Sequence, residues 1–412
     1  MTRMTPIMCD ATTTGRAARL PRAVAFWALG ATLLAFMCAS SAPSPLYVVY
    51  QARWGFSAAT LTAVFAVYAL ASLIALVTVG GLSDYVGRRP VLAAAIAAEA
   101  LSMGLFIGAS SVGWLLAARV VQGLATGTAT GALSASLLDL RPAGRPLLGM
   151  LVDSAAPNAG LAVGALGSGL LAQDAPTPTT LVFAPLLATF IAALLGVALV
   201  PETAARRPGA LASLRPRVGV PRHLRRAFLA VVPCLVATSA LSGLYLSLGP
   251  SLAATALRVQ SHLAGGLLIS ALAGMGVAGS VALRDASPRR AMVVGSAALA
   301  AGVAATLLAL AAASVPLFFL GAAIAGFGYG AAFLGAFQAV SLLAEPGERV
   351  RLLTAVYVVS YLAFSLPAIA AGVVTSSLGL RQTATGYGVA VILLAVAAAL
   401  GLAAQRRRET RR

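Results

Sequence analysis

The sequence predicts an all-α polytopic membrane protein, with twelve transmembrane helices in two pseudo-symmetric six-helix bundles. Three observations carry this prediction. Hydrophobic residues fill 60% of 412 positions and charged residues only 10%, a balance far from that of a water-soluble domain. Apolar runs of about 20 residues recur along the chain, each long enough at 1.5 Å per residue to cross a hydrocarbon core of about 30 Å. The landmarks of the first half of the chain also return in the second.

Charges, prolines and glycines delimit spans at 23–42, 59–80, 90–110, 113–136, 147–172, 180–200, 227–249, 263–283, 291–313, 315–340, 352–376 and 385–404. The chain accordingly divides into an N-tail (1–22), a first bundle (23–200), a basic linker (201–226), a second bundle (227–404) and a C-tail (405–412). All 29 basic residues are arginine, as expected of a GC-rich genome, and the formal net charge is +18. With both termini in the cytoplasm, 25 arginines lie on that side. Three (Arg53, Arg258 and Arg381) lie opposite, and Arg119 is inside a span. Cytoplasmic loops carry the basic excess, so this orientation is expected, in a bacterial inner membrane. The charge then reports topology and contact with anionic lipid, with no nucleic-acid partner.

The stretch CASSA at 38–42 looks like a leader cleavage site, but cleavage would spoil the arginine asymmetry, so the segment is expected to remain as the first helix. Cys9, Cys38 and Cys234 are odd in number, and two lie within spans; no disulfide framework is expected.

The internal repeat is specific in its details. Asp84-Tyr-Val-Gly-Arg88-Arg89 follows span 2 and Asp285-Ala-Ser-Pro-Arg289-Arg290 follows span 8. Ser136-Leu-Leu-Asp139 ends span 4, and Ser341-Leu-Leu-Ala-Glu345 ends span 10. Short turns at Ser110–Val112 and Ser314–Pro316 join spans 3 to 4 and 9 to 10. Parallel six-helix halves with a site between them are one construction used by secondary transporters.

GGLSDYVGRRPVL at 80–92 resembles the signature loop of the major facilitator superfamily, with Gly80, Ser83, Asp84, Gly87, Arg88, Arg89 and Leu92 in place. LLAARVVQGLATG at 115–127 is similar to the superfamily's helix 4 motif through Arg119, Gln122 and Gly123, and Pro201-Glu202-Thr203 is a third, weaker likeness. The resemblance spans essentially the whole chain from residue 23. It implies a transporter working by alternating access. The charged loop would latch the cytoplasmic side while the transporter faces outward, and Arg119 would face a central cavity and influence proton or substrate binding.

From the residues alone, Asp139 is the expected partner of Arg88, and Arg145 or Arg351 that of Asp84, with Glu345 as the second half's counterpart of Asp139. The other reading is that these arginines only fix topology. Within the spans, Glu99, Arg119 and Asp153 are costly charges, about 2.5–3.5 kcal/mol each at the bilayer centre on insertion scales. Such residues face a cavity or a partner. Arg119 could instead be a structural tie to backbone carbonyls. Glu99 is either a buried neutral carboxyl or a proton carrier. Asp153 lies nearer the cytoplasm, about 20 Å from Arg119 along the membrane normal at 1.5 Å per residue, so no direct pair is expected.

Span 5 holds Pro157, the chain's sole asparagine (Asn158), Gly160 and Gly164. The resemblance implies an antiporter pattern there, of which Pro157 and Gly160 are kept while Ala156 and Leu161 replace its flanking glycines. Packing through small residues is the alternative. The first helix lacks the carboxylate that many drug–proton antiporters place there.

With no lysine there is no phosphate-binding P-loop. GMGVAG at 274–279 lies within a span and lacks the strand-turn-helix setting of a dinucleotide fingerprint. No zinc spacing or GxSxG elbow occurs, so no enzyme, metal or cofactor is expected. The expectation is a monomeric transporter exporting a small, largely apolar compound in exchange for protons. Its cavity would be lined by spans 1, 4, 7 and 10 with 2, 5, 8 and 11, and touched by Phe36, Tyr47, Tyr68, Tyr245 and Tyr329. Movement of a polar metabolite such as a sugar is the alternative, disfavoured by the single asparagine.

Overall fold

The computed structural model describes residues 19–142, 144–145, 148–215, 218–259, 261–343 and 349–409; Glu345 lies outside them. Twelve long helices dominate the described residues. The first half contains α1 (Arg22–Trp54), α2 (Ala58–Val79), α3 (Arg88–Ile107), α4 (Val112–Leu140), α5 (Leu148–Asp174) and α6 (Phe183–Val197). The second contains α7 (Arg225–Ser247), α8 (His262–Ala282), α9 (Pro288–Ala312), α10 (Val315–Leu343), α11 (Arg349–Leu378) and α12 (Leu380–Glu409). Eleven of the spans are both long and apolar enough to cross a membrane by composition. The twelfth, α4, is 29 residues long and carries Arg119 and Gln122. Large apolar side chains such as Leu195, Leu229 and Leu393 stay at least 65% exposed on the outside, where only lipid could cover them.

The first helix does not stop at residue 42. It breaks there and continues as Pro43–Trp54, because Pro43 and Pro45 can start a new helical segment but cannot donate to the previous one. The second half repeats the device: α7 ends at Ser247, Gly249 and Pro250 follow, and the chain continues through a short π-helical turn over Leu252–Ala256.

Glycines set the packing inside each half. A side chain at Gly123 or Gly127 would fall on the Tyr68 and Ser72 carbonyls of α2. One at Gly326 or Gly330 would fall on the Leu272 and Gly276 carbonyls of α8. Equivalent glycines on α4 and α10 therefore let equivalent helices touch backbone to backbone.

The halves meet through α5 against α8 and α2 against α11. Their closest approaches lie on the arginine-poor side. Gly169 of α5 meets Gly266 of α8, and Gly372 of α11 rests on Thr62 and Ala58 of α2. Nearer the middle, Ser270 donates to the Ala162 carbonyl at 2.7 Å, and Phe65 and Phe364 pack with ring centroids 4.9 Å apart.

Candidate functional site

The break in α1 creates the site. Pro43 has no N–H, so the Ala39 carbonyl four residues earlier has no helical donor. Side chains take over: Gln122 Nε2 donates to the Ala39 carbonyl at 3.0 Å and Arg119 Nη1 to the Ser40 carbonyl at 3.0 Å. Beside them, Ser168 Oγ donates to the Ala42 carbonyl.

Arg119 and Gln122 are successive-turn neighbours on α4, and Arg119 Nη1 also donates to Gln122 Oε1 at 2.6 Å. Gln122 Nε2 reaches Glu99 Oε1 on α3 at 3.2 Å. One amide thus bridges the arginine and the acid. Arg119 Nε donates to the Tyr47 hydroxyl at 2.7 Å. Its guanidinium carbon lies 5.2 Å from the Tyr68 ring centroid, 5.5 Å from that of Tyr47 and 5.8 Å from that of Phe106. Three π-faces and three hydrogen bonds replace the water that a guanidinium would lose on burial.

Glu99, Arg119 and Gln122 are all 0% exposed. Arg119 therefore does not line an open cavity in this conformation. It is enclosed within the first half and does tie to a backbone carbonyl. The polar supply is still incomplete: Glu99 Oε2, Arg119 Nη2, Thr126 Oγ1 and Ser72 Oγ are buried without a hydrogen bond. Such groups are costly to leave unpaired. The arrangement can hold a fixed positive charge next to an acid that either carries a proton or balances that charge.

The pairing of Glu99 with Arg119 was legible in the chain but passed over. Glu99 is eight residues before the end of α3 and Arg119 seven after the start of α4, so both lie about 10–12 Å below the same turn at 1.5 Å per residue. Tyr68 and Thr126 gave no comparable signal.

Asp153 is elsewhere, half-buried near the arginine-rich end of α5, where Ser134 donates to its Oδ1 at 2.6 Å. Pro157 sits inside α5, with Asn158 half-buried beside it. Gly160 and Gly164 dock on α1, where any side chain would meet the Leu34 and Cys38 carbonyls. Phe36 packs edge-to-face on Phe190 inside the first half. Tyr245 shares a 2.6 Å hydrogen bond with Thr306 inside the second, and Tyr329 stacks near Phe333.

The charged loop forms a second constellation, on the arginine-rich side. Arg88 Nη1 binds Asp84 Oδ1 at 2.7 Å, and Arg88 Nε lies 3.5 Å from Asp139 Oδ2. The partner of Asp84 among the described residues is thus Arg88 of its own loop, four residues away across the left-handed bend at Gly87. Arg145 and Arg351 are both exposed. Sequence reasoning met Glu202 only within the Pro201-Glu202-Thr203 likeness and gave it no part in this loop, which it organises. Its carboxylate accepts the backbone N–H of Arg88 at 2.8 Å and of Arg89 at 3.1 Å, capping the start of α3, and also the N–H groups of Thr203 and Ala204. An anion at a helix N-terminus is well placed. Gly87 is required here twice over: its φ is +102°, and a side chain would lie 2.7 Å from Glu202 Oε2. Gly80, at the end of α2, packs under Gly131 of α4. Arg89 donates to the Ala198 carbonyl beyond α6, as Arg289 does to the Leu402 carbonyl of α12.

The duplication stops at the buried polar site. In the register set by the paired arginines and paired glycines, Glu99, Arg119 and Gln122 correspond to Ala300, Ala322 and Ala325, which are buried as well.

The model of the Major Facilitator Superfamily matches residues 27–366. The chain belongs to this superfamily. It is accordingly a membrane transporter and not an enzyme. Solved superfamily structures share the fold at low identity. A bacterial homologue of the human lysosomal transporter Spinster, inward-facing and occupied, aligns over 95% of this chain and 98% of its own, with 16% identity and a TM-score of 0.71. The nucleoside transporter NupG aligns over 92% and 100%, with 13% identity and a TM-score of 0.69. The human organic anion transporter MFSD10 (TETRAN) aligns over 93% and 100%, with 19% identity and a TM-score of 0.65. No curated protein matches the sequence closely enough to count as a relative.

Proposed function

We propose that this superfamily member is a proton-coupled exporter of a small, largely apolar compound, with its arginine-rich side facing the cytoplasm of a bacterial inner membrane. The observation that carries this reading is the buried Glu99–Gln122–Arg119 bridge. A carboxyl beside a fixed guanidinium, both fully buried, changes the local charge balance by one unit when it takes or loses a proton. Helix α1, which lines the route between the halves, is held by that same bridge at its broken carbonyls, so protonation is transmitted to a gating element. One charge crossing 100 mV supplies about 2.3 kcal/mol, enough for roughly a fifty-fold gradient.

The apolar equivalents Ala300, Ala322 and Ala325 support a substrate recognised mainly by apolar contact. The neighbouring transporters handle nucleosides and organic anions by their descriptions, which shows how little the fold constrains cargo. Asp84, Arg88, Asp139, Glu202 and Arg89 act as the cytoplasmic latch, with Arg145, Arg351 and Glu345 as its outer members. In the conformation described, Asp84, Arg88, Asp139, Glu202 and Arg89 bind within the first half, while the opposite side is closed by Gly169 on Gly266. This is the arrangement expected with the latch to the second half released.

The test is proton flux in proteoliposomes under an imposed pH gradient, against a panel of lipophilic compounds and sugars. Wild-type protein should release protons when a lipophilic substrate is added, and Glu99→Gln should abolish this while Asp153→Asn retains it. Substrate movement with no proton flux, unchanged in Glu99→Gln and Arg119→Ala, would leave a facilitator and overturn the coupling. Sugar-specific flux would favour the polar-metabolite alternative.

A further inference from the structure

Where α4 carries hydroxyls, its counterpart α10 carries aromatic rings. In the register of the paired glycines, Thr126, Thr130 and Ser134 correspond to Tyr329, Phe333 and Phe337. The rings form a row. The centroids of Tyr329 and Phe333 are 6.2 Å apart and those of Phe333 and Phe337 are 6.4 Å apart, with planes inclined by 27° and 24°, an offset stack. Their spacing of four residues keeps them on one face of the helix. That face does not meet lipid. Leu342, 77% exposed on the outside, is nine residues from Phe333 and so on the opposite side of a helix with about 3.6 residues per turn. Yet all three rings are only half-buried. The space they border is the route between the halves, which Gly169 on Gly266 closes on the arginine-poor side. A second row comes from α11. Phe364 packs on Phe65 of α2 across the seam, and Tyr361 and Tyr357 lie three and seven residues before it on the same face, both half-buried.

We infer that the cargo is a flat, uncharged aromatic compound that stacks on Phe333 and Phe337 below Tyr329, with Tyr357 and Tyr361 as the neighbouring wall. The inference rests on the export reading above and names the class of its cargo. Shape follows from the row: nearly parallel rings present one flat surface, and aromatic pairs gain from offset stacking beyond the area they bury. Size follows from its length. Tyr329 to Phe337 is eight residues, about 12 Å of helix and room for two or three fused rings. The wall of the first half leaves that room, since Thr130 and Ser134 are small and their hydroxyls are engaged, with the Thr126 carbonyl at 2.7 Å and Asp153 Oδ1 at 2.6 Å. Neutrality follows from the two aromatic helices. α10 has no acidic or basic residue along Val315–Leu343, and α11 has none beyond Arg351, so neither row offers a counter-ion.

The test is equilibrium binding to the full chain in lipid nanodiscs, with protein-free discs subtracted. Acridone, flat and neutral with fused aromatic rings, is compared with cyclododecanone, an apolar ketone of similar size that has no π-system. Wild-type protein should bind acridone about ten-fold more tightly, a comparison that needs no variant. Phe333→Leu and Phe337→Leu should each weaken acridone by about 2- to 10-fold and leave cyclododecanone unchanged. Phe333→Tyr, which keeps the ring, should bind acridone as wild type does, and so should Leu342→Ala on the lipid face. Equal affinity for the two compounds, or acridone affinity unchanged in both leucine variants, would overturn the inference, as would the lack of saturable acridone binding by wild type. None of these readouts involves protons. Ring-dependent binding together with no acridone-driven proton flux would sustain the site and sink the coupling. Proton release driven by lipophilic compounds and indifferent to both leucine variants would sustain the coupling and sink the aromatic site.

Discussion

The meeting of Gly266 with α5 is the most direct handle on alternating access. A methyl group built on Gly266 falls on the Ala165 carbonyl and lies 3.1 Å from the Gly169 Cα, where carbon atoms prefer about 3.5–4.0 Å. Gly266→Ala therefore pushes α8 away from α5, and both contacts are backbone, which cannot rotate out of the way. Overpacking of this kind costs about 1–3 kcal/mol. The cost applies only to the conformation in which these glycines touch; when the halves separate on this side the methyl has room. A penalty confined to one of two states shifts their ratio, here by about 5- to 150-fold toward the state open on the arginine-poor side. The assay is the labelling rate of Ser270→Cys by a membrane-impermeant maleimide added from that side, with Cys9, Cys38 and Cys234 replaced by alanine. Ser270 hydrogen-bonds across the same seam. Labelling should rise at least about five-fold in Gly266→Ala. An unchanged labelling rate, in protein that melts normally, would refute the claim that this seam opens during the cycle.

Three further outcomes follow from the packing. Arg119→Lys retains the charge but cannot reach Tyr47, Ser40 and Gln122 together or cover three rings; it should lower stability by about 1–3 kcal/mol, seen as a lower denaturation midpoint and reduced substrate exchange. Glu202→Ala removes the acceptor for two N–H groups at the start of α3, a loss of about 1–2 kcal/mol, so amide hydrogen exchange at Arg88 and Arg89 should accelerate about ten-fold or more. Leu393→Arg places a charge on the outward face midway along α12, where Leu393 is 65% exposed. It should cost about 2.5–3.5 kcal/mol of insertion and cut membrane yield, while Leu393→Ala should leave yield intact.

Composition, span length and the distribution of arginine determined by themselves that this is a twelve-span protein in two halves, because the bilayer imposes length and polarity on each helix separately. In the charged loop, the sequence put Asp139 beside Arg88 but sent Asp84 to Arg145 or Arg351, whereas the structure places it on Arg88 of its own loop. Even the level of Glu99 with Arg119 could have been counted from the turn that joins their helices. The continuation of α1 past residue 42 was harder, since a proline pair reads equally well as an end or as a break. The tertiary structure decided what the helices do to one another. That Gln122 serves the Ala39 carbonyl freed by Pro43 while Arg119 holds the Ser40 carbonyl beside it, that Glu202 caps α3 from beyond α6, and that Gly372 rests on Thr62 depend on the rotation and approach of helices far apart in sequence. No local periodicity encodes those quantities; they are fixed only when side-chain volumes, backbone contacts and buried polar groups are satisfied together.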